Sequence, residues 1–448
     1  MNRERILREF RLASCALALA LPLLSVHAGA WGENYDEALA GPTPLQDPLV
    51  FADGRKVTTA EDWRMRRAEI VDLFAREMYG QPPPNPECVE TELVDEKVTV
   101  SGFAIRRRYR MWFRRDRSGP CVNWICFLPR HAAKPAPVIL FLNYRGNFEL
   151  VGDADIPVGD FYVPYAKGNR PNPEKRGVQQ DPEYSSAFPI GMILARGYAV
   201  MSACYAEVSP DPAWQDVKEN ATAYQEKLAY TGVFDLWPAR DASRTDNTTS
   251  IGAWAWALSR GLDLAVRQPE IDTRKSVVTG CSRLAKAALL AAVRDERFAV
   301  CVPVQTGGGG CPLAKHYYGE NVRILTKAFP HWFCKAYAKY ADKEASLPFD
   351  QHLLLACIAP RGLLVEGFDD PWYDTKGEYM AVRAASPVWS FLGKGGMPDV
   401  PWPKPYETAA IGRDLGYVHR TEKHGISPYD WRWMLDFADG IFTRKDAE

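Results

Sequence analysis

The sequence predicts an α/β fold, a mostly parallel central sheet in a three-layer αβα sandwich with insertions over one face. Three observations carry that prediction. Two early segments, "KVTVSGFAIRRRYRMWF" (97–113) and "CVNWICFLP" (121–129), alternate polar and apolar residues, as antiparallel strands with one solvated face do. Later segments are short apolar runs that end in loops: 136–147, 197–205, 276–282, 298–310 and 361–370. Helical stretches separate several of them, notably "IGAWAWALSRGLDLAV" (251–266) and "LAKAALLAAV" (284–293). Strands covered on both faces and alternating with helices form a parallel sheet. Antiparallel strands first and parallel strands after is the order of the α/β-hydrolase fold.

The elements follow in chain order. Arg3, Arg5, Arg8 and Arg11 make a basic start, "LASCALALALPLLSV" an apolar run, and "VHAGA" a small-residue cleavage site. Residues 1–30 therefore read as a secretory signal peptide. The cysteine of "LASC" precedes the apolar run instead of following it, which argues against a lipid anchor. A proline-rich approach, "GPTPLQDPLVF", leads to a helix near 61–79 that "GQPPPNP" stops. Two long polar segments, about 153–188 and 208–249, read as insertions over the functional edge of the sheet. Residues 31–448 are expected to form one domain, exported to the periplasm or secreted.

Composition excludes several functions. A formal charge of −1 over 448 residues leaves no electrostatic footprint for nucleic acid. No later stretch is apolar for long enough to span a bilayer. Nine of the ten cysteines remain after residue 30, with no C-x-x-C spacing, and H-E-x-x-H is absent. Neither a metal nor another cofactor is expected, and the protein is expected to be a monomer.

In a parallel sheet, side chains beyond the strand C-termini converge in one crevice. "VVTGCSRLAK" (277–286) runs from a β-branched stretch through Gly280 to Ser282 and straight into a helix. Two readings compete for Ser282. One is a helix N-cap; the other is a nucleophile elbow, although Leu284 occupies the usual second glycine's place. Gly280 and Ala285 supply the small residues a tight elbow needs.

Histidine supply favours the second reading. Only seven are present, and the loop after the last strand, near 415–420, holds His424 beside Gly425. His419 belongs to the strand and reads as a packed residue. An acid should follow an apolar strand between the two, and "GLLVEGFDDPWYD" places Asp369, Asp370 and Asp374 there. Spacing favours Asp370, with Asp369 as a cap of the turn and Asp374 as the N-cap of "TKGEYMAV". The order Ser282, Asp370, His424 is that of an α/β-hydrolase triad.

"TGCSRLAK" also resembles the G-C-S-R-x-x-K elbow of the glucuronoyl esterases, carbohydrate esterase family 15, in their bacterial form. The resemblance continues through "LNYRGN", "IGAWAWALSRGLD", "FPHWF", "LPFDQHLLLACIAPRGL" and "LGYVHR…KHGISPYDW", nearly the whole chain from "EDWRMRRAEIVDLFAREMYG" onward. It implies a carboxylic ester hydrolase acting on the ester between 4-O-methyl-D-glucuronic acid of glucuronoxylan and lignin alcohols, through an acyl-enzyme. Ser282 would attack, His424 relay the proton, Asp370 orient His424 and Arg283 stabilise the oxyanion. Lys286, Glu320, Arg323, Trp332 and Trp372 fall where the family contacts sugar. The triad glutamate of many members is replaced by Thr306 in "QTGGGG", which leaves Asp370 as the acid. Other carbohydrate esters, as for an acetyl xylan esterase, and a non-catalytic carbohydrate-binding relative are the competing readings.

Overall fold

The computed structural model describes residues 32–444 except 42, 134, 165, 185–186 and 213–220; the signal-peptide expectation falls outside them. Nine strands form one sheet: β1 (Glu90–Thr99), β2 (Ala104–Trp112), β3 (Cys121–Pro129), β4 (Ala136–Asn143), β5 (Ala199–Cys204), β6 (Ile271–Cys281), β7 (Val300–Val304), β8 (Gly362–Phe368) and β9 (Leu415–Arg420). Their spatial order is β1-β2-β3-β5-β4-β6-β7-β8-β9. β1, β2, β3 and β5 pair antiparallel in turn, and every pairing from β5 onward to β9 is parallel.

Burial explains the two strand patterns. β4, β5, β7, β8 and β9 are buried along almost their full length, so their sequences run apolar without alternation. β1 is an edge strand with one buried residue, the rest exposed or half-exposed, and its sequence, "ETELVDEKVT", carries no apolar face. The single alternating segment expected at 97–113 is two strands, reversed at Val100–Gly102 where Val100 and Ser101 adopt positive φ.

Helices cover both faces. On one lie α1 (Ala60–Phe74), α2 (Ser250–Val266) and α3 (Arg283–Arg294); on the other lies α4 (Pro428–Phe442). α1 opens with a capping box between Thr59 and Asp62 and closes in a wider turn, Ala75–Tyr79, before the prolines. α2 is capped by Thr249 and buried nearly all round, with Trp254 and Leu258 fully inside. The sheet therefore sits between two apolar layers, and beyond its strand C-termini lie Val163, Tyr184 and Asp211.

Candidate active site

β6 delivers Ser282 into a backbone conformation with φ +56° and ψ −126°, a region that L-residues avoid. Its amide donates to Val304 O at 2.9 Å, and its carbonyl accepts from Ala285 N at 2.9 Å. The side chain makes no capping hydrogen bond to α3, so the helix-cap reading of Ser282 has no support. Gly280 is what allows the turn. A Cβ there would lie 2.4 Å from Leu284 O and 2.6 Å from Leu284 C. The backbone of residue 284 is the crowded group, so Leu284 itself can carry a side chain. The close approach is needed at Gly280.

His424 lies in the loop after β9, and Arg420 holds that loop. Arg420 pairs with Asp430 at 3.0 Å in the first turn of α4 and donates to the carbonyls of Gly425 and Thr421 at 2.8 and 2.9 Å. The imidazole stacks on Tyr373, with centroids 4.5 Å apart, and its Nδ1 lies 2.8 Å from Gln305 Oε1. Burial, then the positive charges of Arg283, Lys286 and Arg420, push its pKa down to about 3. At neutral pH the ring is therefore uncharged, the form of an imidazole that can accept a proton. Ser282, Arg283 and His424 line one cavity with Tyr144, Arg145 and Tyr184, the last from segment 153–188.

Asp370 is not joined to His424. Its carboxylate accepts from Trp372 N at 2.9 Å and caps the turn Pro371–Tyr373. A turn with free N–H groups competes successfully for an aspartate placed just before it, and the ring presented to His424 is Tyr373. The expected acid is therefore a cap, while Asp369, expected as the cap, is exposed with its N–H bonded to Arg420 O. Asp374 does cap Thr375–Ala385, accepting from Gly377 N. Thr306, at the family's glutamate position, points its hydroxyl to Glu378 Oε1 at 3.1 Å. His419 is packed, 1% exposed.

Arg283 turns back over the cavity to Asp211, with Nη1 2.5 Å from Oδ2. Asp211 is fully buried, and its other oxygen lies 2.8 Å from both His331 Nε2 and Trp332 Nε1. Burial alone would raise this carboxyl, but Arg283, His331 and Trp332 outweigh it and hold it well below the usual range. Trp332 is 2% exposed, stacked on Phe329 and 4.8 Å from the Arg283 guanidinium. It is a wall that orients Arg283 instead of the open platform expected for a sugar ring. No pattern in the sequence pointed to Asp211, which lies in the insertion 208–249.

Lys286, Glu320 and Trp372 do come together. Lys286 Nζ donates to Thr306 O at 2.6 Å and lies 3.9 Å from Glu320 Oε2. Burial lowers the lysine's pKa and raises the glutamate's, while each opposes the other's shift. Glu320 N donates to Trp372 O at 2.9 Å, and Trp372 is half-buried. The run 307–310 makes room for this: a Cβ on Gly308 would lie 2.3 Å from Glu320 O, and one on Gly307 2.8 Å from its carboxylate. Arg323 is elsewhere, half-exposed and paired with Asp342 at the surface, because its position on the helix Val322–Ala328 faces outward.

The strand order and the turn carrying Ser282 define an α/β-hydrolase, and the groups gathered around that serine suit a carboxylic ester hydrolase. Comparison with known proteins narrows the class. Residues 201–393 match the family model "Glucuronyl esterase, fungi". The chain is 34% identical over 426 residues to the carbohydrate esterase MZ0003 from an unknown prokaryotic organism, covering 93% of this chain and 94% of that one. It is 34% identical over 367 residues to 4-O-methyl-glucuronoyl methylesterase 1 of Wolfiporia cocos, covering 78% and 72%. The solved glucuronoyl esterase from Solibacter usitatus superposes with a TM-score of 0.81 at 32% identity, over 90% of this chain and 99% of that one. The chain belongs to the glucuronoyl esterases, carbohydrate esterase family 15.

Proposed function

We infer that the protein is a serine esterase that hydrolyses 4-O-methyl-D-glucuronoyl esters, the linkage between glucuronoxylan and lignin alcohols, through an acyl-enzyme. One observation carries the reading: Ser282 sits in a strained, uncapped turn at a cavity that it shares with a neutral, half-buried His424 and the cation Arg283. Ser282 Oγ attacks the ester carbonyl as its proton passes to His424. The guanidinium of Arg283, fixed by Asp211, faces the oxygen that becomes negative. Lys286, Glu320 and Trp372 offer charge, acceptor oxygens and a ring face for uronate hydroxyls. Family membership supports the substrate class.

Benzyl glucuronate against 4-nitrophenyl acetate tests this reading. Turnover of the glucuronate ester, abolished by Ser282→Ala, is expected; acetate turnover alone would replace the substrate, and no hydrolysis would leave a binding protein. The catalytic unit is the domain 31–448, acting as a monomer, with residues 1–30 directing export and removed in the process. The basic start and apolar run support export. N-terminal sequencing of the exported protein and its sedimentation mass test both statements.

A further inference from the structure

Gln305 follows β7, is fully buried and has φ +52°. Its N–H donates to Glu366 O at 2.7 Å, which fixes the backbone against β8. The side-chain Oε1 meets two groups, Gly425 N at 2.9 Å and His424 Nδ1 at 2.8 Å. A backbone N–H can only donate, so the amide atom facing Gly425 is the oxygen. An amide oxygen can only accept, so His424 carries its proton on Nδ1. Nε2 is then the free, basic nitrogen, the tautomer that a serine nucleophile requires.

We propose that Gln305 is the positioning residue that holds His424 for catalysis, a neutral amide doing the orienting for which a triad normally uses a carboxylate. The proposal rests on the esterase reading of Ser282 and His424. An amide orients the ring but offers no negative charge to the imidazolium. The other charged or titratable groups around His424 do not supply it. Arg283 and Lys286 on α3 and Arg420 on β9 are cationic, and Tyr373 stacks as a neutral ring. Asp370 spends its carboxylate on Trp372 N, and Asp430 is paired with Arg420. Glu366 on β8 is fully buried, and burial raises its carboxyl well above the usual range, which disfavours a charge there.

The proton path still closes. As Ser282 Oγ bonds to the carbonyl carbon, its proton moves to Nε2 and the π electrons to the carbonyl oxygen. Nδ1–H stays donated to Gln305. The carbonyl then re-forms, the ester C–O bond breaks, and Nε2 returns the proton to the departing alkoxide. A water molecule repeats the sequence to release the acid. The base therefore works with low proton affinity, and the positive charge it acquires is balanced by the oxyanion formed in the same step.

Three measurements test the proposal. In ¹⁵N NMR of the wild-type protein, His424 is expected with Nδ1 protonated and Nε2 bare. Gln305→Met removes the acceptor and should cut kcat by roughly 10³–10⁴ with KM within about twofold, as loss of the correct tautomer does in a triad. Gln305→Glu keeps the acceptor and adds charge, so the acid limb of kcat/KM should move up by about one pH unit or more. A wild-type Nε2–H tautomer overturns the proposal. So does a Gln305→Met variant with wild-type kcat, or a roughly 10³-fold loss in Asp370→Asn with none in Gln305→Met. If wild type hydrolyses neither test ester, the esterase reading fails on its own, and the NMR tautomer still decides whether Gln305 positions the ring.

Discussion

Gly280→Ala is the smallest change that reaches Ser282, the proposed nucleophile, without touching it. Its Cβ would arrive 2.4 Å from Leu284 O and 3.0 Å from Ala285 N, where ordinary contact begins at 3.4 Å. Both atoms are backbone in the first turn of α3, so no side chain can swing away. The helix start must retreat by about 1 Å, and Ser282, hydrogen-bonded to Ala285 N and Lys286 N through its carbonyl, moves with it. A displacement of about 1 Å at a reacting group costs on the order of 10² in rate. That corresponds to about 2.7 kcal/mol of transition-state stabilisation. Overpacking should also cost about 1–3 kcal/mol of stability. Steady-state hydrolysis of benzyl glucuronate, at urea concentrations where the variant is fully folded, separates the two effects. Full turnover with an unchanged urea midpoint would refute the crowding argument and, with it, the claim that the elbow depends on Gly280.

Three further outcomes are expected. Asp211→Asn should lower kcat by roughly 10², the scale for a lost oxyanion stabiliser, with KM little changed, because Arg283 loses its buried anchor; unchanged kcat would mean that Arg283 needs no such anchor. Lys286→Met should raise KM for glucuronate esters about tenfold or more, the scale of a charged hydrogen bond, while Arg323→Ala, at the surface beside Asp342, should leave both constants unaltered; the reverse pattern would move the sugar site. For pH, the pKa of His424 is pushed from the usual histidine value near 6.5 down to about 3 in the folded protein. The neutral base should survive acidification, so kcat/KM should hold its plateau below pH 6.5 and fall only toward pH 3–4. Unfolded protein takes up that proton first. The histidine's contribution to stability is thus complete above about pH 6.5 and lost as pH falls toward 3. An acid limb at pH 6.5, or urea midpoints flat across that window, would contradict the assignment.

The parallel half of the sheet was legible because β4, β5, β7, β8 and β9 are buried on both faces and read as apolar runs. β1 was not, since an exposed edge strand has no apolar face to display. The run 298–310 read as a strand ending in a loop, and β7 stops at Val304, where Gln305 takes a positive φ and leaves the sheet. Ser282 and His424 could be picked out from chain order and rarity, and they line one cavity. Asp370 misled because an aspartate before a turn suits a cap as well as a triad. Which role wins depends on the local N–H groups and not on spacing. Gln305 and Asp211 gave no sign at all. An amide next to the family's acid position and an aspartate between two prolines acquire meaning only when distant segments meet.

That distance shapes how the protein becomes active. The crowding that shapes the elbow is local, between Gly280 and the backbone of Leu284 and Ala285. The elbow's longer tie, Ser282 N–H to Val304 O, runs only to the neighbouring strand. The Arg283 guanidinium, however, is neutralised by Asp211, 72 residues away, which in turn is held by His331 and Trp332, 120 and 121 residues further on. Contacts of such separation form late in folding, because long loops must close first. During refolding, secondary structure and tryptophan burial should recover before esterase activity does. The lag between them would report the docking of Asp211 against Arg283, His331 and Trp332 on an already formed sheet.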